Sequence, residues 1–195
     1  MRYPPIDVLD ESKKIQQLFS SDDVHVFEKL DGGNTQIAVP ESHPITHGLR
    51  SGKVSGASKE RKWVKQFERF FWGNRQRLQE SLEPGFVYFM EFLGPHTVVY
   101  KPEFVNRAFL IDVWDLKNGV FVPYEDGAKK TEPVKDLVLP APLLYRGRVD
   151  KKGIKRLLEE ASPYAVDGIK EGLVLKDYKT GTFGKTYHPR HTPRN

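Results

Sequence analysis

Apolar and polar side chains alternate along several short runs of this chain, and that alternation is the pattern of a β-strand with one buried face. The runs predict strands at residues 23–31, 34–39, 85–94, 107–116 and 170–178. Only Gly32 and Gly33 separate the first two runs, and both glycines tolerate a positive φ. We therefore expect a tight two-residue hairpin between these strands.

Apolar residues three or four positions apart predict helices in three other stretches. These stretches are residues 10–19, 59–82 and 149–163. Ser58 and Asp150 stand where a side-chain oxygen can accept a hydrogen bond from the first turn of the second and third helix. Residues 40–57 are rich in Pro, Gly, Ser and His, and this composition indicates a long loop.

This mixture of strands and helices, joined in two places by hairpin-like turns, favours an α+β fold. We expect largely antiparallel sheets with flanking helices, in contrast to the doubly wound parallel sheet that regular βαβ units form. A length of 195 residues suits one domain. We expect residues 1–195 to form that domain.

Composition then excludes several classes of protein. The chain has no cysteine, so disulfides, thiolate zinc sites and cysteine nucleophiles are ruled out. No apolar run approaches the ~20 residues of a membrane span, and the first residues lack the apolar segment of a signal peptide. We therefore expect a cytoplasmic protein with no membrane partner. The net charge of +5 permits a nucleic-acid partner without requiring one.

Three of the predicted strands carry ionisable residues within or beside apolar runs. Strand alternation places Lys29 and Asp31 on one face at the end of the first strand. Glu91 stands alone among large apolar residues, where an unpaired carboxylate is costly. Glu171 and Lys176 flank the apolar run of the last strand. Each group taken alone is most simply a structural ion pair or a charged strand end, but together they indicate one shared polar site.

The stretch "EKLDGGN", residues 28–34, resembles the K-x-D-G-x-N signature of the covalent nucleotidyltransferases, which comprise ATP-dependent RNA and DNA ligases and mRNA capping enzymes. Other family motifs are matched in the same order along the chain. The matching stretches are "FMEFLG" (89–94), "FLIDVWD" (109–115), "EGLVLK" (171–176) and "FGKTYHP" (183–189). Asn34 and the Glu28–Lys29 pair resemble the RNA-ligase branch. The resemblance implies the nucleotidyltransferase architecture, an ATP-grasp-like ligase core.

The resemblance makes Lys29 the nucleophile that attacks the α-phosphate of ATP and forms a lysyl-AMP. An amine attacks only when it is deprotonated, and the pKa of a free lysine is ~10.4. Lys176, Lys185 and a divalent metal are the neighbours expected to favour the neutral amine, and the two lysines would also neutralise phosphate charge. Asp31 and Glu171 would hold Mg²⁺ or Mn²⁺, largely through water.

The remaining motif residues are expected to contact the nucleotide. The resemblance implies that Glu28 reaches the adenine amino group and that Phe109 stacks on the adenine ring. A position in the core is the other interpretation of Phe109. Asn34 and Arg50 would contact ribose and phosphates, and Glu91 would accept a hydrogen bond from a ribose hydroxyl. Arg50 lies in the predicted loop, where a solvated arginine is the alternative.

The chain departs from the family in two respects. The last motif commonly has two lysines one residue apart, whereas here a threonine and a tyrosine follow Lys185. Lys176, Lys179 or Arg190 is the candidate to replace the missing cation. Relatives also commonly carry a C-terminal domain, an OB-fold in DNA ligases. We expect neither an OB-fold nor another appended domain within residues 1–195, so a partner protein is a candidate source of one.

The leading hypothesis is an ATP-dependent RNA ligase that transfers AMP from Lys29 to a 5′-phosphate end and seals that end to a 3′-hydroxyl. Its substrate would be RNA, nicked or single-stranded, with DNA as the alternative. A DNA ligase or guanylyltransferase core, or a nucleotide- or RNA-binding module with a decayed active site, are the competing hypotheses. The basic residues of the predicted helix 59–82 are most simply a solvated face, with RNA-backbone contact as the other interpretation.

Overall fold

The computed structural model describes residues 2–9, 16–50, 61–94 and 96–191. The chain divides into two compact units, each with its own sheet. Unit 1 comprises Met1–Tyr3, Gly32–His96 and Glu103–Pro140, and unit 2 comprises Pro4–Asp31, Thr97–Pro102 and Ala141–Asn195. The assignment of residues 1–195 to a single nucleotidyltransferase domain stays a prediction.

Strands and helices alternate irregularly along the described residues. The strands are β1 (Asp7–Val8), β2 (Val24–Lys29), β3 (Gly33–Val39), β4 (Thr46–Leu49), β5 (Phe86–Phe92), β6 (Ala108–Asp115), β7 (Val120–Phe121), β8 (Val138–Pro140), β9 (Leu143–Gly147), β10 (Gly172–Asp177) and β11 (Thr182–Tyr187). The α-helices are α1 (Gln16–Ser20), α2 (Lys62–Ser81), α3 (Tyr124–Thr131) and α4 (Lys151–Glu159). Short 3₁₀ helices cover Pro102–Phe104, Glu132–Val134 and Pro189–His191.

Unit 2 is built on a five-stranded sheet in the order β1-β11-β10-β2-β9. Its neighbouring strands are antiparallel except β1 and β11. One face of the sheet is apolar, with Val26 of β2 and Leu173 of β10 buried in a core that includes Leu157 of α4. Asp150 caps α4 as predicted, because its Oδ1 accepts a hydrogen bond from the Gly153 amide at 2.6 Å.

Unit 1 is built on a second sheet in the order β4-β3-β5-β6-β7, with β8 parallel to β6. The long helix α2 buries its apolar stripe against one face of this sheet, and Phe67 and Phe71 are fully buried there. Burial of each such ring contributes about 1.5–3 kcal/mol to stability, so these rings stabilise the packing of α2 on the sheet. The predicted helix 59–82 is confirmed as α2, while its predicted cap Ser58 lies outside the described residues.

The predicted α+β class with largely antiparallel sheets is confirmed, but the predicted hairpin between β2 and β3 is wrong. β2 pairs with β10 and β9, whereas β3 pairs with β4 and β5 in the other sheet. Neither Gly32 nor Gly33 has a positive φ. A Cβ at Gly32 would lie 2.5 Å from the Phe92 carbonyl oxygen, and one at Gly33 would overlap the Trp63 ring. The glycines therefore permit close packing rather than a turn.

Residues 40–57 are not loop throughout, because β4 lies within them and pairs with β3. The positions from 51 onward in that stretch lie outside the described residues, as do residues 10–15 of the predicted first helix. In the ranges that the structure covers, no helix is both long and apolar enough to cross a membrane.

Candidate active site

Lys29 and Glu171 meet at the end of two paired strands of unit 2. Lys29 is the last residue of β2 and lies opposite Gly172, the first residue of β10. The Lys29 Nζ donates a hydrogen bond to Glu171 Oε2 at 2.6 Å, and both side chains are mostly buried, at 20% and 13% exposed. This distance and burial make a strong charge-assisted pair.

Three lysines project from the same face of this sheet, which we call the lysine face. Directly opposed residues on paired strands share a face, as do residues two apart along a strand. Val174 lies opposite Phe27 on one side and Lys185 on the other, and Lys176 lies opposite His25. The face therefore carries Lys29, Lys176 and Lys185 from three adjacent strands.

Aromatic rings separate and shield the three ammonium groups. The Tyr187 ring lies 5.4 Å from Lys29 Nζ and 5.6 Å from Lys185 Nζ. Lys176 is only 2% exposed, and its Nζ lies 5.0 Å from the Phe27 ring and 5.5 Å from that of Phe183. Cation–π contacts at these distances stabilise charge where water is scarce.

Asp31 is fixed beside this face by two backbone contacts. Its Oδ2 accepts a hydrogen bond from the Val98 amide at 2.8 Å. Its own amide donates to the Tyr100 hydroxyl at 2.5 Å. The pKa of that hydroxyl is raised, above all by burial. The neutral phenol is therefore the form that holds the Asp31 backbone in place.

The pKa of Glu171 identifies the charges that share its surroundings. Burial raises this pKa, and the charges of Lys29 and Lys185 lower it, while the Asp31 carboxylate raises it. The charges of Lys29, Asp31 and Lys185 therefore all act on the Glu171 carboxylate. The structure brings together Lys29, Asp31, Glu171 and Lys185 within unit 2.

Glu28 projects from the opposite face of β2, where it lies across from Leu173. Its Oε1 accepts a hydrogen bond from Ser162 Oγ at 2.6 Å, and its buried Oε2 has no hydrogen-bond partner among the residues that the structure describes. Burial raises the pKa of Glu28, and the Ser162 hydrogen bond and the Lys170 charge oppose that rise. An unsatisfied buried carboxylate oxygen is costly, and it leaves Glu28 able to accept a donor from a ligand.

In unit 1 the other predicted residues form one row across four strands. Asn34 of β3 lies opposite Glu91 of β5, and Glu91 lies opposite Phe109 of β6. The Arg50 amide, directly after β4, donates to the Asn34 carbonyl oxygen at 3.0 Å. The row lies on the sheet face away from α2. Glu91 Oε1 also accepts a hydrogen bond from the Gly32 amide at 3.0 Å.

Two members of this row differ in how exposed they are. Phe109 is buried, at 1% exposed, and packs at 6.3 Å from the Phe104 ring. Arg50 is exposed. Within the described ranges, the buried Oδ1 of Asn34 has no hydrogen-bond partner. Since Glu91 belongs to unit 1 and Lys29 to unit 2, the single shared site expected from the sequence stays a prediction.

A β-bulge in β6 aligns two motif residues that strict alternation would put on opposite faces. Phe109 pairs with Glu91, but Asp112 pairs with Phe89, so Ile111 is an extra residue. Phe109 and Asp112 consequently share a face although they are three positions apart. Asp112 accepts a short hydrogen bond from the Tyr3 hydroxyl.

Sequence reasoning missed several residues that support the site. Ser162 and Tyr100 bind Glu28 and the Asp31 backbone, yet neither lies in a motif. Lys170 is 1% exposed and donates to the backbone carbonyls of Leu157 and Glu160 at the end of α4. Its place one residue before Glu171 was the available signal, since a lysine next to a buried strand needs a partner.

Asp31 and Glu171 fit a hard divalent cation, which prefers carboxylate oxygens and keeps much of its own water. Among the residues that the structure describes, no three His, Asp or Glu side chains group closely enough to hold a metal by themselves. Two carboxylates with the remaining positions taken by water or phosphate oxygens are the arrangement expected for Mg²⁺.

Comparisons with known proteins identify the family and the fold of this chain. The family model for RNA ligase matches residues 22–187. A mutant Naegleria gruberi RNA ligase with ATP and Mn is similar at 16% identity and a TM-score of 0.64, over 98% of this chain and 57% of that chain. A mutant with AMP and Mn gives 16%, 0.63, 98% and 56%, and the ligase with PPi gives 17%, 0.64, 98% and 56%.

At these identities the structural likeness concerns the fold, and the chain spans little more than half the length of those ligases. A search of curated proteins gave no match. The family model is independent of the structural matches and covers most of the chain, from before β2 to the end of β11. The chain therefore belongs to the RNA ligase family.

Proposed function

We propose that this chain is the adenylylating part of an ATP-dependent RNA ligase and that Lys29 carries the AMP. The observation that carries the proposal is the Lys29–Glu171 pair at 2.6 Å, with Lys176 and Lys185 on the same sheet face. A lysine at a strand end, next to a carboxylate and two further cations, has the surroundings that a nucleophilic lysine needs.

In the first step the neutral Lys29 Nζ attacks the α-phosphorus of ATP. A P–N bond forms, the bond from that phosphorus to the bridging oxygen breaks, and pyrophosphate leaves while Nζ gives up a proton. Lys185 and Lys176 would lie against the phosphates and neutralise the charge that develops on them. The similar ligase structures with ATP and Mn, with AMP and Mn, and with PPi support the proposal, because ATP is the substrate of this step and the nucleotide and pyrophosphate are what it separates.

Glu171 has two roles in this scheme. In the resting pair its carboxylate stabilises the Lys29 ammonium, so the amine becomes a nucleophile only after that contact is released. A divalent metal bound near Asp31 and Glu171 would neutralise both carboxylates and polarise the phosphate oxygens. The neighbouring Lys185 then favours the uncharged form of Lys29, since two ammonium groups repel each other.

Nucleotide contacts are proposed for the residues with unused hydrogen-bonding capacity. Glu28 Oε2 and Asn34 Oδ1 are buried acceptors that find no partner in the part of the chain that the structure describes. The adenine amino group and the ribose hydroxyls are donors that would satisfy such atoms. We extend the proposal to Glu91 as an acceptor for a ribose hydroxyl, to Arg50 as a phosphate contact and to Phe109 as the ring that stacks on adenine.

The second and third steps would complete ligation. An oxygen of the RNA 5′-phosphate attacks the lysyl-AMP phosphorus, the P–N bond breaks and Lys29 recovers a proton. The 3′-hydroxyl then attacks the activated 5′-phosphate, and AMP leaves. Both steps depend on holding two ends in line, which is a matter of positioning rather than of new chemistry.

Incubation with α-³²P-labelled ATP and Mg²⁺, followed by denaturing electrophoresis, tests the proposal. We expect label on the wild type and none on Lys29→Ala or Lys29→Arg, since the guanidinium remains protonated. Lys117→Ala removes an exposed lysine of the β6–β7 turn and should label normally. ATP binding without label would contradict the enzyme and favour a binding module, and label from GTP would indicate a capping-type enzyme.

A further inference from the structure

The outer side of α2 carries a basic stripe that the proposed chemistry does not use. We call it the outer stripe of α2. It consists of Lys62, Lys65, Arg69, Trp72 and Arg75, all exposed. Intervals of three and four residues place these side chains along one side of the helix. At 1.5 Å per residue the stripe is ~20 Å long.

Three cations of this stripe, Lys62, Arg69 and Arg75, are available to a partner. Within the described residues, Lys62, Arg69 and Arg75 form no ion pair with a carboxylate. Arg77 of the same helix contrasts with them, because its guanidinium donates to both carboxylate oxygens of Asp136, at 2.7 and 2.6 Å. The stripe therefore has uncompensated positive charge, which attracts a polyanion.

Trp72 is a large aromatic residue in the middle of that charge, and it is 57% exposed. Contacts with neighbouring rings hold its indole in place. The His47 ring meets it edge-on at 5.5 Å and the Phe71 ring at 5.2 Å. The Arg75 guanidinium lies 5.4 Å from its centre. An indole that is held in place and remains open to solvent can stack on a partner's ring at little entropic cost.

We propose that the outer stripe of α2 binds a single-stranded segment of RNA, with one base stacked on Trp72 and the phosphates along the lysines and arginines. Interleaved cations and an aromatic platform are the combination that sequence-tolerant single-strand binding uses. Bases within a duplex are already stacked, so an unpaired segment is required. The choice of RNA rests on the proposed function, whereas the binding itself does not require adenylylation of Lys29.

Stacking is tested by fluorescence anisotropy with a labelled oligouridylate that has a 5′-hydroxyl end, without ATP, so that no sealing intervenes. Trp72→Ala should weaken binding by roughly 5-fold or more, because base stacking on an aromatic side chain contributes at least ~1 kcal/mol. Trp72→Phe should recover most of the loss. Equal affinity of wild type and Trp72→Ala overturns the proposal, as does a wild type that binds no RNA.

The charge of the stripe is tested with Lys62→Gln/Arg69→Gln. Removal of two phosphate contacts should lower RNA affinity and make the slope of log K against log salt concentration shallower by about 1.4, at ~0.7 per contact. The matched control is Lys129→Gln/Lys135→Gln, which removes two lysines already paired with Asp126 and Glu132. An unchanged slope in the stripe variant, or an equal change in the control, overturns the proposal.

Heparin separates stacking from general attraction to polyanions, since it has charge but no bases. Trp72→Ala should bind heparin like the wild type, and an equal loss with heparin contradicts the stacked base.

All stripe variants should take label from ATP at the wild-type rate. If the wild type took no label while Trp72→Ala still lost RNA affinity, the proposed adenylylation would be contradicted and the RNA surface would still be supported. Label on the wild type together with unchanged RNA affinity in Trp72→Ala would contradict the RNA surface alone.

Discussion

Ser162 donates a hydrogen bond to the Glu28 carboxylate at 2.6 Å, although 134 positions separate the two residues. The same hydroxyl oxygen accepts hydrogen bonds from the amides of Tyr164 and Ala165, at 3.1 and 3.2 Å. Ser162 therefore connects the turn after α4 to the strand that carries Lys29. This contact fixes the residue directly before the proposed nucleophile.

Ser162→Ala should lower the free energy of unfolding by about 1–3 kcal/mol, since it leaves the buried Glu28 carboxylate without its donor. Urea unfolding of both proteins measures the loss. The loss should be smaller in a Glu28→Gln background, where no charge is left unpaired. An equal loss in both backgrounds would show that the hydroxyl serves only the turn.

Glu28→Gln should change stability in a pH-dependent way. Burial raises the folded-state pKa of Glu28, so its contribution to stability is complete below about pH 4.3, its usual unfolded value, and is lost as the pH rises through the folded pKa. Glutamine carries no charge at any pH. The stability of the variant relative to the wild type should therefore rise through that interval and then level off. A difference that does not vary with pH would contradict this assignment.

Glu171→Gln should reduce the rate of label incorporation from ATP on the order of 100-fold, because the amide keeps the shape of the side chain but has no charge. The free energy of unfolding should also fall, by about 1–3 kcal/mol, since the mostly buried Lys29 ammonium loses its charged partner. The two effects are measured by labelling kinetics and urea unfolding. Normal labelling would mean that Glu171 only pairs with Lys29 at rest.

Two glycines of the chain should respond to alanine in opposite directions. A Cβ at Gly172 would overlap the Thr186 carbonyl oxygen, which belongs to the paired strand, so Gly172→Ala should cost more than about 2 kcal/mol. Gly73 is exposed within α2, and apart from its chain neighbours and the nearby helix backbone no described atom lies within 4 Å of its Cβ position. Gly73→Ala should stabilise by about 0.5–1 kcal/mol. Urea midpoints compare both with the wild type, and a tolerated Gly172→Ala would contradict the close approach.

Local pattern was a good guide wherever one face of an element is buried. The alternation in β2 placed Lys29 and Phe27 on one face and Val26 on the other, as the pairing with β10 shows. The helix pattern predicted α2 from a stripe of Trp63, Phe67, Phe70 and Leu78, and Phe67 and Leu78 are fully buried. Burial imposes these periods, so a short window of sequence contains them.

The local sequence pattern could not predict which strands pair with each other. The apparent hairpin at Gly32 and Gly33 failed because β2 finds its neighbours more than a hundred positions away, and a pair of glycines serves close packing as readily as a turn. Ser162 and Tyr100 were missed for the same reason. Each supports the site through a contact with a residue distant in sequence, and no spacing of residues along the chain predicts such a contact.

The extra residue at Ile111 has a consequence for how this strand is recognised and how it tolerates change. It works as a phase shift: before it the odd positions of β6 point to the face of Glu91, and after it the even ones do. In a regular strand of the same length Ile111 would pair with Phe89, and Asp112 and Val113 would exchange faces. Deletion of Ile111 would instead remove the bulge and keep Asp112 on the face of Glu91. Homologues with two residues between the aromatic and the aspartate should therefore keep the bulge, and homologues with one residue there should have a regular strand.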